Sequence, residues 1–290
     1  MRVTESTEDL VERKARKTQA KAERGSGWYE VLARTGLVAK GISYGLVGIL
    51  AIGVAVQEGG KATSREGALE ALAHESWGTV VLALLAAGFA AYAAWRLVQT
   101  FAERGDADDG ATKTWGKRAG YAGRAIVYGA LTWTALQLLL GNGDGGQSQT
   151  QEARDHTDWA LSWPAGQYLV ALAGATIVGA GLWNGYRAFT QNFEEKWRGG
   201  MSAAARRWGR RAGIAGHLAR GVVFGLIGFF VAKAALEYDP KEAIGLDGAL
   251  RKLAQAEYGP WLLGVTAAGL VAYGVYCLVD ARYRDVSVGD

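Results

Sequence analysis

The stretch Gly216-His-Leu-Ala-Arg220-Gly221-Val-Val-Phe224-Gly225 decides the fold, because the chain contains it three times. Gly36-Leu-Val-Ala-Lys40-Gly41-Ile-Ser-Tyr44-Gly45 and Gly120-Tyr-Ala-Gly-Arg124-Ala125-Ile-Val-Tyr128-Gly129 repeat its glycine, cation, small residue, aromatic and, except for the Phe-to-Tyr change, closing pair without a gap. A second motif alternates with the first. Gly88-Phe-Ala-Ala-Tyr92-Ala-Ala-Trp95-Arg96 aligns with Gly179-Ala-Gly-Leu-Trp183-Asn-Gly-Tyr186-Arg187 and with Gly269-Leu-Val-Ala-Tyr273-Gly-Val-Tyr276-Cys277, where the cation moves on to Arg282. Two motifs in alternation, each present three times, define a repeat of two elements.

Each motif sits in an apolar run of bilayer length. A helix crosses the hydrocarbon layer with about 20 mostly apolar residues, all of its backbone polar groups satisfied internally. Six segments meet that requirement: 37–56, 77–98, 121–140, 167–186, 218–236 and 261–279. The expected fold is all-α: a polytopic membrane protein with six transmembrane helices arranged as three tandem two-helix repeats. The repeats cover residues 28–104, 113–197 and 208–286, behind a charged cytoplasmic N-terminal tail, 1–27. Hairpins of one orientation pack naturally in a pseudo-threefold arrangement about the membrane normal; a sequential row without closure is the alternative. The segments at 67–73 and 248–254 share apolar residues at helical spacing, which predicts a short amphipathic helix after spans one and five. The middle copy has diverged there, and Gly141-Asn-Gly-Asp-Gly-Gly146 reads as a flexible loop.

Charge orients the chain. Of the 32 Lys and Arg, 21 flank the odd-span starts and even-span ends, against six in the alternate loops. Positively charged loops stay in the cytoplasm, so both termini are expected inside. The first span follows 36 residues and lacks a clear small-x-small exit, so it reads as retained rather than as a cleaved signal.

Lipid chains are as apolar as leucine, so membrane helices associate through close backbone contact and hydrogen bonds. Gly41 with Gly45, Ala125 with Gly129 and Gly221 with Gly225 each place two small residues one turn apart, making Gly41, Gly45, Gly129, Gly221 and Gly225 the expected packing glycines. Lys40, Arg124 and Arg220 are equivalent; closed around an axis they form a ring of cations for an anion or lipid head group, or they snorkel to the interface. Tyr92, Trp183 and Tyr273 are the expected interior aromatics. Lys233 is expected to reach Glu237, one turn on. Phe189, Phe193 and Trp197 share a helical face ahead of Arg198, Arg206, Arg207, Arg210 and Arg211, as a helix lying on the anionic inner leaflet would.

At these residues the chain closely resembles the domain of unknown function family numbered 1206, bacterial membrane proteins common in actinobacteria and built from three two-helix repeats. The Ala219–Gly225 motif, the Gly-Ala-Leu-x-x-Leu-Ala segment at Gly248 and the ending Ala281-Arg282-Tyr283-Arg284 carry the resemblance, which departs at Lys40, where Arg is usual, and at Ala125, where Gly is usual. It implies a six-span plasma-membrane protein and no activity.

The composition closes several routes. One cysteine, Cys277, excludes an internal disulfide framework and cysteine-based zinc or iron–sulfur sites. His74, His156 and His217 fall in two outer loops and an inner boundary, too far apart to share a metal. No metalloprotease, serine-triad or phosphate-loop signature is present, so no catalytic residue, no cofactor and no metal is expected, and the chain reads as a non-enzyme. The candidate partners are the bilayer, its anionic inner-leaflet lipids and another membrane protein; topology accounts for the basic charge without nucleic acid. With no intramembrane carboxylate pair and no Pro-broken span, the first functional reading is a scaffold or accessory subunit of a membrane complex. The alternative is a small-solute or anion transporter or channel using the cation ring.

Overall fold

The structure, a computed structural model, describes residues 7–56, 78–102, 111–140, 148–197 and 200–285. Among them lie eight α-helices: α1 (Thr7–Val56), α2 (Gly78–Ala102), α3 (Ala111–Leu139), α4 (Gln149–Leu161), α5 (Gly166–Thr190), α6 (Ala203–Glu237), α7 (Leu246–Ala254) and α8 (Gly259–Tyr283). Stretches of α1, α2, α5, α6 and α8 are long and apolar enough to cross a membrane, which makes the chain a multi-pass membrane protein. The third expected span is also one unbroken helix, but Arg124, Thr132, Thr134 and Gln137 leave it less apolar than the other five. Its two threonine hydroxyls bond back to the carbonyls of Tyr128 and Ala130, at 2.8 and 3.2 Å, so they carry no unmet polarity. At 29 residues, α3 is long enough for a crossing. The charged tail has a helical backbone from Thr7 onward, continuous with the first span. The expected helix at 67–73 and the loop at 141–146 lie outside the described residues.

In space the long helices follow the order α3, α2, α1, α8, α6, α5, each packed on the next. The first and third repeats meet through α1 and α8, and the two helices of the middle repeat, α3 and α5, stand at the two ends of this order. A plain row of hairpins would hold α1 and α8 apart; here they form one of the largest contacts in the molecule.

Glycine explains how these contacts become close. A Cβ on Gly274 of α8 would stand 2.6 Å from the Gly41 carbonyl oxygen and 3.0 Å from the Gly45 nitrogen. On the other side, a Cβ on Gly181 of α5 would stand 2.9 Å from the Gly225 nitrogen and 3.0 Å from the Gly221 oxygen of α6. Four of the five expected packing glycines therefore sit at backbone-on-backbone crossings, where dispersion replaces the missing hydrophobic drive. Gly129 is the exception. It faces open space, because α2 approaches α3 through the buried side of Ala125, Tyr128, Leu131 and Ala135.

The short helices cap one end of the bundle. Ser148 caps α4 by accepting from the Gln151 amide, and Thr150 then ties α4 to α7: its amide and hydroxyl donate to Asp247, at 3.0 and 2.8 Å, while its oxygen accepts from the Gly245 and Gly248 amides. Lys233 lies closer to Glu242 of the intervening turn, at 2.9 Å, than to the expected Glu237, at 3.6 Å.

At the other end the expected amphipathic helix is absent. Gln191, in the left-handed region at φ 57°, terminates α5, so Phe189 stays exposed while Phe193 and Trp197 turn inward and are buried. Phe193 stacks on His217 with ring centroids 5.2 Å apart, and the Trp197 indole donates to Asp280 at 3.2 Å. Asp280 also accepts from Arg284 at 2.6 Å. Burial works against the Arg284 charge, but the Asp280 carboxylate more than offsets it and holds the arginine pKa above its ordinary value. Arg206 and Arg210 turn back as well, both pairing with Glu194.

A candidate anion site of buried cations and tyrosines

Lys40 of α1 lies between two of the expected interior aromatics, its Nζ 5.7 Å from the Tyr92 ring centroid and 5.1 Å from that of Tyr273. Arg220 of α6 packs on Tyr273, Phe224 and Tyr44, at 4.5, 5.1 and 5.4 Å, and donates to the Tyr273 hydroxyl at 2.6 Å. The motifs build this arrangement directly. The glycine four residues before each cation admits the neighbouring tyrosine: a Cβ on Gly36 would stand 2.6 Å from the Tyr92 Cα, and one on Gly216 the same distance from the Tyr273 Cα. The aromatic four residues after the cation then meets a tyrosine of another helix, Tyr44 with Tyr273 at 4.7 Å and Tyr128 with Tyr92 at 4.3 Å.

Arg124 of α3 joins the group. It lies 5.9 Å from the Tyr121 ring and feels the charges of Arg96 and Arg220, yet its residue is exposed, as befits a side chain lining an opening. Arg96 of α2 is a fourth member that the sequence reading did not single out. It is buried, packs on Trp95, Tyr92 and Tyr121, and donates to Gln99 and to the Tyr92 hydroxyl at 2.5 and 2.7 Å. The second motif held the signal, a cation one turn after the aromatic, in its first copy only at this depth.

Among the described residues, no carboxylate pairs with Lys40, Arg96, Arg124 or Arg220. The Nε atoms of Arg96 and Arg220 are buried without a hydrogen-bond partner. Buried positive charge is ordinarily paired; here rings and phenol oxygens stand in for carboxylates. A tyrosine oxygen that accepts from arginine keeps its own hydrogen, so Tyr92 can still donate to a ligand. Guanidinium forks favour oxyanions, which they can hold bidentately.

Trp183 does not take the third aromatic place. It is 57% exposed and stacks on Tyr186. The reason is a register difference of one turn. Gly48 of α1 opposes Val271 of α8, and its equivalent Gly228 opposes Val178 of α5; Gly274 and Gly181 play matching parts in the same two interfaces. Both pairs are 93 residues apart, whereas aligning Gly179 with Gly269 assumes 90. In packing terms Ala180, not Trp183, corresponds to Tyr273, so α5 brings no ring to this position.

His217 is a packing residue. Fully enclosed between Phe193, Tyr273 and Tyr276, it contacts the Gly213 carbonyl through Nδ1 at 2.8 Å. His156 is exposed, and His74 lies outside the described residues. No group of three His, Cys, Asp or Glu among the described residues could hold a metal.

Comparison with known proteins agrees with the repeat structure. The family model described as Domain of Unknown Function (DUF1206) matches residues 35–103, 119–191 and 215–284. The chain is 32% identical over 266 residues to the Uncharacterized protein YxxB of Bacillus subtilis (strain 168), covering 90% of this chain and 93% of that one. No solved structure matches. The chain belongs to the DUF1206 family.

Proposed function

We propose that this DUF1206 member is an oxyanion-binding protein of the bacterial plasma membrane, with six crossings and both termini in the cytoplasm. The carrying observation is the convergence of Lys40, Arg96, Arg124 and Arg220 on shared tyrosines without a carboxylate. The scaffold reading rested on a lack of site chemistry, and this cluster supplies some. The neighbour order, with α1 beside α8, supports a pseudo-threefold ring with one open seam, and the positive-inside asymmetry supports an orientation with the cluster toward the inner leaflet. Cationic rings that select anions are a recurring pore device, so passage of the bound anion is the natural extension.

The test is thermal unfolding of the detergent-purified protein with and without inorganic phosphate or sulfate. Binding to the folded state stabilises by about 2.7 kcal/mol at 100 times Kd. Wild-type protein should show this shift, and a triple variant, Lys40→Gln, Arg124→Gln and Arg220→Gln, should lose it. An equal shift in both proteins, or none in wild type, refutes the reading. Uptake of labelled phosphate into proteoliposomes, dependent on the same three residues, would separate transport from static binding.

A further inference from the structure

The middle repeat lacks an interface that the other two repeats possess. In the first, Gly36 receives Tyr92 and Gly88 receives Ala39; in the third, Gly216 receives Tyr273 and Gly269 receives Ala219. The equivalent surfaces of α3 and α5 stay apart. Among the described residues, a Cβ on Gly123 would meet nothing within 4 Å, and one on Gly120 only the Arg124 guanidinium, at 3.9 Å. Equivalent side chains show the same contrast: Ser43 and Val223 are each 3% exposed, whereas Val127 is 50% exposed. Ala180, at the level where Tyr92 and Tyr273 close the other hairpins, is exposed too.

The two ends of the helix order, α3 and α5, thus leave a seam of unfilled faces at the motif level of the cation cluster. Arg124 stands in it, and behind it lie Arg96, which is 94% buried with its Nε unpartnered, and Arg220. The exposed residues of these faces are small or apolar: Gly120, Gly123 and Val127 on α3, Ala180 and Trp183 on α5. An inorganic oxyanion matches the cations and leaves these faces bare. A molecule with a phosphate at one end and hydrocarbon at the other matches both.

Resting on the oxyanion reading above, we infer that the ligand is an anionic phospholipid, entering from the bilayer through the α3–α5 seam. Its phosphate binds Arg124 together with Lys40, Arg96 and Arg220, and its acyl chain lies against Gly123, Val127 and Ala180. The seam takes over the place filled by tyrosine and small-residue packing in the other two hairpins.

The experiment compares retention of phosphatidylglycerol and phosphatidylcholine by full-length protein in native mass spectra, alongside the phosphate-induced thermal shift. Wild type should retain phosphatidylglycerol in preference to phosphatidylcholine. Arg124→Gln should weaken it by about 10- to 100-fold, the worth of one charge-assisted hydrogen bond. Gly123→Leu fills the seam without touching the cations; it should abolish phosphatidylglycerol retention and keep the phosphate shift. Because a poorly folded Gly123→Leu protein would also lose lipid, a phosphatidylglycerol with a photoreactive acyl chain provides a second readout on wild type, and should label peptides spanning 120–127 and 176–183. Labelling elsewhere, or undiminished retention by Gly123→Leu, overturns the seam. A phosphate shift without phosphatidylglycerol preference overturns the lipid and leaves the oxyanion reading standing; loss of both overturns both.

Discussion

Gly36, Gly120 and Gly216 occupy one position in three repeats, and the same substitution should not act alike on them. Replacing glycine by alanine inside a helix gains about 0.5–1 kcal/mol from lower backbone entropy in the unfolded chain. At Gly216 the new Cβ would lie 2.6 Å from the Tyr273 Cα and 2.8 Å from its backbone nitrogen, and at Gly36 it would lie 2.6 Å from the Tyr92 Cα. Those are backbone atoms, so no rotamer change relieves the overlap; the two helices must separate by about 0.8 Å to restore ordinary contact, and overpacking of this kind costs about 1–3 kcal/mol. The net effect of Gly36→Ala or Gly216→Ala is a loss of about 1–2 kcal/mol. At Gly120 the nearest atom is the mobile Arg124 guanidinium, 3.9 Å away, so Gly120→Ala keeps the entropic gain. The contrast between Gly120→Ala and Gly216→Ala is thus about 2 kcal/mol, or about 4–8 °C in unfolding temperature at 2–4 °C per kcal/mol. Thermal unfolding of the three variants in one detergent, followed by intrinsic tryptophan fluorescence, measures it. If Gly120→Ala is destabilised as much as its two counterparts, α3 and α5 pack as the other hairpins do, and the open seam is wrong.

Two further substitutions probe the ends of the bundle. Asp280 is 2% exposed and holds both Arg284 and the Trp197 indole, so Asp280→Asn should lower stability by about 3–5 kcal/mol, and adding Arg284→Gln should recover part of the loss; absence of recovery in chemical unfolding would argue against the pair. Thr150→Val removes the three hydrogen bonds that the hydroxyl makes to Asp247, Gly245 and Gly248, at roughly 1 kcal/mol each, so amide exchange across Leu246–Ala254 should accelerate while exchange in the long helices stays unchanged.

The parts of the fold legible in the sequence are those set by periodic, local constraints. Apolar runs of bilayer length mark helices because the membrane leaves the backbone no other solution, and gap-free motifs mark equivalent depths. On that basis Lys40 pairs with Arg220 and Tyr92 with Tyr273 as equivalents, while the meeting of the cations with the tyrosines is not written in either motif. What misled was a short-range coincidence: Gly179 and Trp183 reproduce the spacing of Gly269 and Tyr273, yet the helix packs three residues out of that alignment because Gly181 is the residue that fits the Gly221–Gly225 crossing. Register in a membrane bundle follows the closest backbone approach, not the best-matching letters. The helix at Gln149–Leu161 carries no Gly-Ala-Leu motif, though Ser148-Gln-Thr-Gln151 is a capping-box pattern that announces it. Phe193 and Trp197 also have helical spacing, but spacing carries no information once Gln191 has ended the helix. The open seam is a missing contact, and a missing contact leaves no motif.

The cation cluster is best understood by asking what it costs when empty. A single Arg or Lys at the centre of a membrane helix is unfavourable by about 2.5–3.5 kcal/mol on insertion scales. Ring faces return about 0.5–2 kcal/mol for each good cation–π contact, and Lys40, Arg96 and Arg220 have two or three apiece, so their individual solvation is largely met. The rings cannot offset mutual repulsion. Like charges at roughly 10 Å repel by about 1.7 kcal/mol per pair at an effective dielectric of 20, and four cations make six such pairs. A carboxylate on any of the surrounding helices would have removed this term; Asp280 and Glu194 instead serve Arg284 and Arg210 outside the cluster. Arg124, with one ring and an exposed flank, is the least compensated of the four. An oxyanion at the seam reverses the sign of the interaction with all four cations at once, and it does so beside the residue that needs it most.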